Sequence, residues 1–264
     1  MMDKRARLKK MLVDMGSVLL AYSGGVDSTF LLKAAKDALG DRVLAVTADS
    51  ATYPRSELIF AKGMAKRLKA RHKVIRTCEL KNKDFSSNST DRCYFCKKEL
   101  FLKLKDIARK HKIRFIIDAS NVSDKKDFRP GSRAKIELGV RSPLAEAGFT
   151  KDDIRRSSRA MGLNTWDKPA LACLASRIPY GTKIEAGLLK RIERAEDYLV
   201  RLGFRQVRVR HYNGLCRIEV PKKEIPRLVS RQDNIVAKLK SLGYNYITVD
   251  LQGYRTGSMN EVIK

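Results

Sequence analysis

The chain has 264 residues, 43% hydrophobic and 32% charged, which is enough for one large domain with an appendage or for two modest ones, because single cores stop growing near ~250–300 residues. Fifty-six Lys and Arg stand against 29 Asp and Glu, a formal net charge of +27 whose field concentrates phosphorylated partners, either a small molecule or nucleic acid. The sequence has neither a run of ~18 apolar residues nor a leader pattern, so no membrane span is expected and the cytoplasm is the expected location. Five cysteines, an odd number, point to thiols available for metal or chemistry and away from a disulfide framework.

Taken in chain order, the apolar stretch closing at Leu20 reads as a strand, Ser23-Gly24-Gly25 breaks it, and helical periodicity follows from Asp27 to Leu39, closed by Gly40. Val43–Thr47 predicts a second strand, Ser56–Ala70 a helix and Lys73–Thr77 a third strand. The polar stretch Asn82–Thr90 predicts a loop that delivers Cys93 and Cys96 to the start of a helix over Lys97–Lys112, and Arg114–Asp118 a fourth strand. After a long polar loop, Asn121–Arg133, with a Pro130-Gly131 turn, Thr150–Met161 reads as a helix whose threonine cap precedes acids. This alternation predicts an α/β fold with a doubly wound parallel sheet in a domain over residues 1–182.

The tail predicts a smaller α+β domain over residues 183–264. A helix over Ile184–Leu202 leads into strands Gln206–His211 and Cys216–Val220 around an Asn213-Gly214 turn, then a helix over Pro226–Leu242 and a strand over Tyr246–Leu251. Basic residues are spread through the helices without an aromatic-interleaved platform, so the charge reads either as a whole-proteome or salt adaptation with a small-molecule phosphate substrate or as polynucleotide binding.

Ser23-Gly24-Gly25-Val26-Asp27-Ser28-Thr29, lying between strand and helix, offers backbone N–H groups and a helix N-terminus to phosphate. Ser23 and Ser28 add hydroxyls, and Asp27 beside a phosphate makes electrostatic sense with Mg²⁺ between them. No Gly-Lys-Ser/Thr follows, so the loop is not a Walker A loop. The whole string resembles the PP-loop of N-type ATP pyrophosphatases, which cleave ATP between the α- and β-phosphates and adenylylate their substrate.

The resemblance extends to Asp127-Phe128-Arg129-Pro130-Gly131, Glu137, Arg141-Ser142-Pro143-Leu144, Lys168-Pro169, Cys173-Leu174-Ala175-Ser176-Arg177-Ile178-Pro179-Tyr180-Gly181, Val207-Arg208-Val209-Arg210 and Arg217-Ile218-Glu219-Val220. These strings are similar to those of the LarE family. The resemblance implies an ATP-dependent sulfurtransferase that adenylylates the carboxylates of pyridinium-3,5-biscarboxylic acid mononucleotide and turns them into thiocarboxylates for the nickel-pincer nucleotide cofactor. It also implies a trimer-based hexamer. Family members use either one cysteine that gives up its own sulfur or three that hold a [4Fe-4S] cluster, and Cys93, Cys96 and Cys173 match the three-cysteine pattern.

Three thiolates leave one iron of such a cluster open to an extra sulfide, which makes repeated turnover conceivable where a sacrificed Cys173 would serve once. Zinc is the competing metal for a Cys-x-x-Cys pair, with Cys78 or Cys216 as a further ligand; otherwise these two read as small buried hydrophobes. Ser176 and Arg177 beside Cys173 suit capture of a phosphate or carboxylate. Arg208 and Arg210, two apart on a strand, project from one face, and the matching family positions are linked to substrate phosphate. Glu196 and Glu219 match family acids near the reactive cysteine, suited to moving protons or positioning a metal.

His72, His111 and His211 lack ligand spacing, and Trp166 reads as a core or interdomain anchor. The alternatives in view are a tRNA thiolation enzyme with the same phosphate loop, for which a second Cys-x-x-Cys module is missing, and a non-enzymatic nucleotide or metal sensor.

Overall fold

Two short apolar runs, Val18–Ala21 (β1) and Val43–Asp49 (β2), pair in parallel with Val18 opposite Val43 and Ala21 opposite Val46. Runs without polar alternation belong in strands covered on both faces, and here side-chain parity sorts them into two cores. In the computed structural model, which describes residues 3–126, 130–169 and 172–263, Val18, Leu20, Val43 and Ala45 pack with helices α1 (Lys4–Met15) and α2 (Val26–Leu39). Leu19, Leu44 and Val46 turn the other way. With α3 (Arg55–Arg67), β3 (Arg71–Arg76), the single turn α4 (Lys83–Ser86), α5 (Arg92–Lys110) and β4 (Phe115–Ile117) following, they meet Phe101 and Leu104 of α5 and Ile116 of β4.

The four strands are parallel in the order β3-β2-β1-β4. The chain leaves β1 toward β2 on one side, and β4 adds on the other, so strand order reverses at the carboxyl end of β1. In open α/β sheets that is where ligands bind. The short helices α6 (Gly131–Glu137) and α7 (Pro143–Glu146) follow, and then α8 (Lys151–Ala160), whose first turn is closed by a reciprocal capping box between Thr150 and Asp153.

Contacts divide the described residues into two units, 3–85 with 90–126 and 130–169, and 86–89 with 172–263. In the second, α9 (Ala186–Arg201) buries Leu189, Ile192, Ala195 and Leu199. Strands β5 (Arg208–Tyr212) and β6 (Leu215–Glu219) form an antiparallel hairpin, with Asn213 and Gly214 both at positive φ as a tight hairpin turn demands. After α10 (Ile225–Val229) and α11 (Gln232–Ser241), β7 (Tyr246–Val249) adds in parallel to β6. Asn88, wholly buried, donates its amide to the carbonyls of Pro179 at 2.6 Å and Thr182 at 2.9 Å, which explains why residues 86–89 belong to this unit.

Several expectations are corrected. Ahead of the first expected strand, where the sequence suggested no element, residues 4–15 form a helix, because Leu8, Leu12 and Met15 fall on one face and are buried despite the basic residues around them. Cys93 and Cys96 lie inside α5 instead of on a loop before it: the helix begins at Arg92, and the Tyr94 N–H already donates to Asp91 O. The helix expected over Pro226–Leu242 is two helices, since Ser230 and Arg231 close α10 back onto Pro226 and Leu228 before α11 restarts. Trp166 is 38% exposed beneath the Arg159 guanidinium, so it is no core residue. Asp127, Phe128 and Arg129 lie outside the described residues.

Candidate active site

Where β1 ends, Ser23-Gly24-Gly25 turns the chain into α2, with Gly25 extended at the N-cap. Gly24 has φ +73°, and a Cβ there would sit 2.9 Å from both Cα and Cβ of Ala61 on α3, so glycine is required twice over, by conformation and by space. The Ser28 hydroxyl bonds Gly25 O at 3.2 Å and meets Ser23 Oγ at 3.1 Å, which ties the loop to the first turn of α2. The structure thus brings Ser23, Gly24, Gly25, Asp27 and Ser28 together at a helix N-terminus that favours anions.

Asp27 is the anomaly of the loop. Its Oδ2 accepts a 2.5 Å bond from Lys151 at the start of α8, whereas its Oδ1 is buried with no hydrogen-bond partner among the described residues. Burial raises the carboxyl's pKa, and Lys151 offsets that only in part. Lys168 reaches the same loop: its Nζ stands 3.3 Å from Gly24 O, 2.8 Å from Glu57 Oε2 and 3.6 Å from the centre of the Phe60 ring. Neither lysine was singled out by the sequence reading. Lys168 fell within a family-like string, but 144 residues separate it from Gly24, and only folding shows the contact.

Cys93 and Cys96 sit three apart in the first two turns of α5 and so share a face. Cys93 is exposed and Cys96 half-buried, with its Sγ 3.8 Å from Oε1 of the buried Glu79. Glu79 also accepts a 2.8 Å bond from Ser50 at the end of β2. Close packing fixes this helix start: a Cβ on Gly131 of α6 would come within 2.9 Å of Lys97 Cγ and 3.2 Å of Cys93 O. Within either unit no three Cys, His, Asp or Glu side chains converge as a metal site among the described residues.

In the second unit Cys173, half-buried, is the N-cap of a 3-10 turn over Leu174–Arg177. The forked capture expected of Arg177 is made with Glu196: Nε to Oε1 at 2.9 Å and Nη2 to Oε2 at 2.8 Å. Its Nη1 goes to the carbonyls of Ala172 and Cys173 and to Ser176 Oγ. Burial opposes the guanidinium's charge, and Glu196 more than offsets it, leaving the pKa above its ordinary value.

Arg210 repeats the arrangement with Glu219, at 2.9 and 2.6 Å, and adds Ser176 O and Ser258 Oγ. Arg208 shares that face of β5, stands over the Tyr254 ring, and has its pKa pulled down to about 10 by burial and then by the Arg177 charge. Cys173, Ser176, Arg177, Glu196, Arg208, Arg210 and Glu219 therefore form one connected cluster, in which both carboxylates are held by arginines. Of the remaining thiols, Cys216 is buried in the hairpin core, where burial pushes it up to about 12, and Cys78 is half-buried.

A four-stranded parallel sheet flanked by helices, with a glycine loop at the reversal of strand order, defines a Rossmann-like α/β protein. No family model matches the chain. Curated relatives do. An uncharacterized protein of Synechocystis is 41% identical over 99% of this chain and 98% of its own length. The pyridinium-3,5-bisthiocarboxylic acid mononucleotide synthase of Lactiplantibacillus plantarum is 38% identical over 98% of this chain and 95% of its own. An uncharacterized protein of Methanocaldococcus jannaschii is 28% identical over 90% and 91%. The chain belongs to the family of the pyridinium-3,5-bisthiocarboxylic acid mononucleotide synthase, the LarE family. Among the described residues no helix is long and apolar enough to cross a membrane.

Proposed function

We propose that the protein is an ATP-dependent sulfur insertase acting on pyridinium-3,5-biscarboxylic acid mononucleotide in the cytoplasm. The observation that carries the reading is near-full-length similarity to a synthase whose name specifies a bisthiocarboxylic acid mononucleotide. In the first half-reaction a substrate carboxylate oxygen attacks the α-phosphorus of ATP and pyrophosphate leaves. In the second, a sulfide attacks the activated carbon, AMP leaves with the former carboxylate oxygen, and a thiocarboxylate remains.

The loop N–H groups and the α2 N-terminus receive the phosphates, with Ser23 and Ser28 as hydroxyl partners. Mg²⁺ suits Asp27, because its buried Oδ1 is an unpartnered oxygen of the type that ion takes. Cys93, Cys96 and Cys173 are three thiols, none fully buried, of the kind that hold a [4Fe-4S] cluster. When bound, such a cluster supplies an iron able to carry the incoming sulfur. Arg177 and Glu196 fix the carbonyls around Cys173, and Arg208 and Arg210 supply positive potential for the substrate's phosphate. Assembly as a trimer-based hexamer belongs to the same reading.

The test is anaerobic incubation with ATP and the biscarboxylic mononucleotide, following AMP, pyrophosphate and exchange of oxygen for sulfur in the product by mass. Absence of AMP would sink the reading. Iron and sulfide analysis of wild type and Cys93→Ala addresses the cluster, and equal iron in the two would defeat it. A loss of sulfur from Cys173 after one turnover would instead assign that thiol as the donor.

A further inference from the structure

The neighbours of the glycine loop leave a question that the loop residues do not answer. A chain of phosphates arriving at Gly24–Ser28 brings several negative charges next to Asp27 and Glu57, and a helix N-terminus offers only about half a positive charge. Two lysines distant in sequence are already there. Lys151 is engaged with Asp27 Oδ2 at 2.5 Å. Lys168 is only 14% exposed, lies 2.8 Å from Glu57, and has its ammonium on the Gly24 carbonyl at the turn itself. Its ammonium also lies over the Phe60 ring, 3.6 Å from the centre.

We infer that Lys168 is a phosphate-binding residue of this site, turning from Glu57 to the β- and γ-phosphates of ATP and neutralising the pyrophosphate as it leaves. The inference rests on the ATP reading of the loop. Three features support it over a purely structural ion pair. The ammonium touches the loop backbone as well as its acid. An ammonium is a compact cation with three donors on a flexible stem, so it can exchange its bond to Glu57 for bonds to phosphate oxygens. The pair also lies next to the helix start toward which phosphate is drawn, so an arriving anion competes with Glu57 for the same cation.

The experiment compares ATP and AMP affinities, by calorimetry with Mg²⁺, in wild type, Lys168→Met, Glu57→Gln and the double variant. Methionine keeps an unbranched side chain of similar length without the charge, and the double variant leaves no buried charge unpaired should the single one fail to fold. Thermal melts report folding.

The expected result is that Lys168→Met and the double variant lose about 10- to 100-fold in ATP affinity, the size of one charge-assisted contact, with AMP affinity nearly unchanged. Glu57→Gln keeps its preference for ATP over AMP. Equal losses in Lys168→Met and Glu57→Gln, equal losses for ATP and AMP, or wild-type ATP binding by folded Lys168→Met or the folded double variant would each overturn the inference. Failure of wild type itself to bind ATP overturns the ATP reading instead, so the two failures are distinguishable.

Discussion

Arg177 and Glu196 are joined by two parallel hydrogen bonds of 2.9 and 2.8 Å, with the arginine wholly buried. Glu196 Oε1 also accepts the Val209 N–H at 2.9 Å, so a single carboxylate links the Cys173 turn to strand β5. Removing one partner of such a pair strands a charge in the interior, at a cost of about 3–5 kcal/mol. Glu196→Gln is therefore expected to lower the denaturation midpoint strongly, and replacing Arg177 and Glu196 together by Met and Leu to cost less than either single change. A Glu196→Gln variant as stable as wild type in urea titration would contradict this account.

Gly24→Ala tests the loop. The alanine must adopt φ near +73° and push its Cβ into the backbone of α3 at Ala61, 2.9 Å away. Backbone strain of this kind costs on the order of 1–3 kcal/mol, and the loop yields sooner than the helix. We expect a modest fall in melting temperature together with loss of ATP-dependent AMP release. Full turnover by the variant would show that the loop's shape is not required.

Asp153 tests the entry of α8. Its carboxyl is held well below the usual carboxylate range, first by the Lys4 ammonium at 2.6 Å and then by the backbone and hydroxyl of Thr150. A depressed acid contributes stability that is complete above the unfolded value, near ~3.9, and lost as pH falls through the folded value. Asp153→Ala should cost about 1 kcal/mol at neutral pH, the usual worth of a helix cap. The gap between the two proteins should narrow below the ordinary aspartate range, as read from denaturation at several pH values.

His211 titrates in the opposite sense. Burial first, and then the Arg191 charge, lower its pKa, and its Nδ1 is buried with no hydrogen-bond partner among the described residues, so no acceptor there supports the charged form. The unfolded chain binds a proton near pH ~6.5 that the folded chain resists, so stability falls on acidification below that value and is flat above it. His72, lowered by burial in the first unit, adds a slope of the same sign. His211→Phe should reduce the wild-type slope between pH 7 and pH 5 without abolishing it. Superimposable profiles would remove His211 from the account.

Much of this was legible in the sequence. The unbroken apolar runs at Val18 and Val43 announce strands covered on both faces, Asn213-Gly214 announces the hairpin, and the Ser23–Thr29 string announces a phosphate loop. Each is a local signal, since backbone sterics and hydrophobic periodicity act over a few residues. Residues 4–15 and the true start of α5 escaped because basic side chains masked the apolar face in one, and in the other a polar stretch runs through Asp91 straight into the helix with no side-chain cap to mark its first residue.

The sequence by itself therefore determined the parallel α/β order, the position of the glycine loop and the family. Tertiary structure alone decided that Lys151 and Lys168 stand at that loop, that Asp27 keeps an unpartnered oxygen, and that Glu196 and Glu219 are held by Arg177 and Arg210. The physical reason is range. Propensity and periodicity are fixed within a turn or two of chain, whereas charge pairing depends on close approach of residues as far as 149 positions apart, as for Lys4 and Asp153 at 2.6 Å, which exists only once the cores have packed.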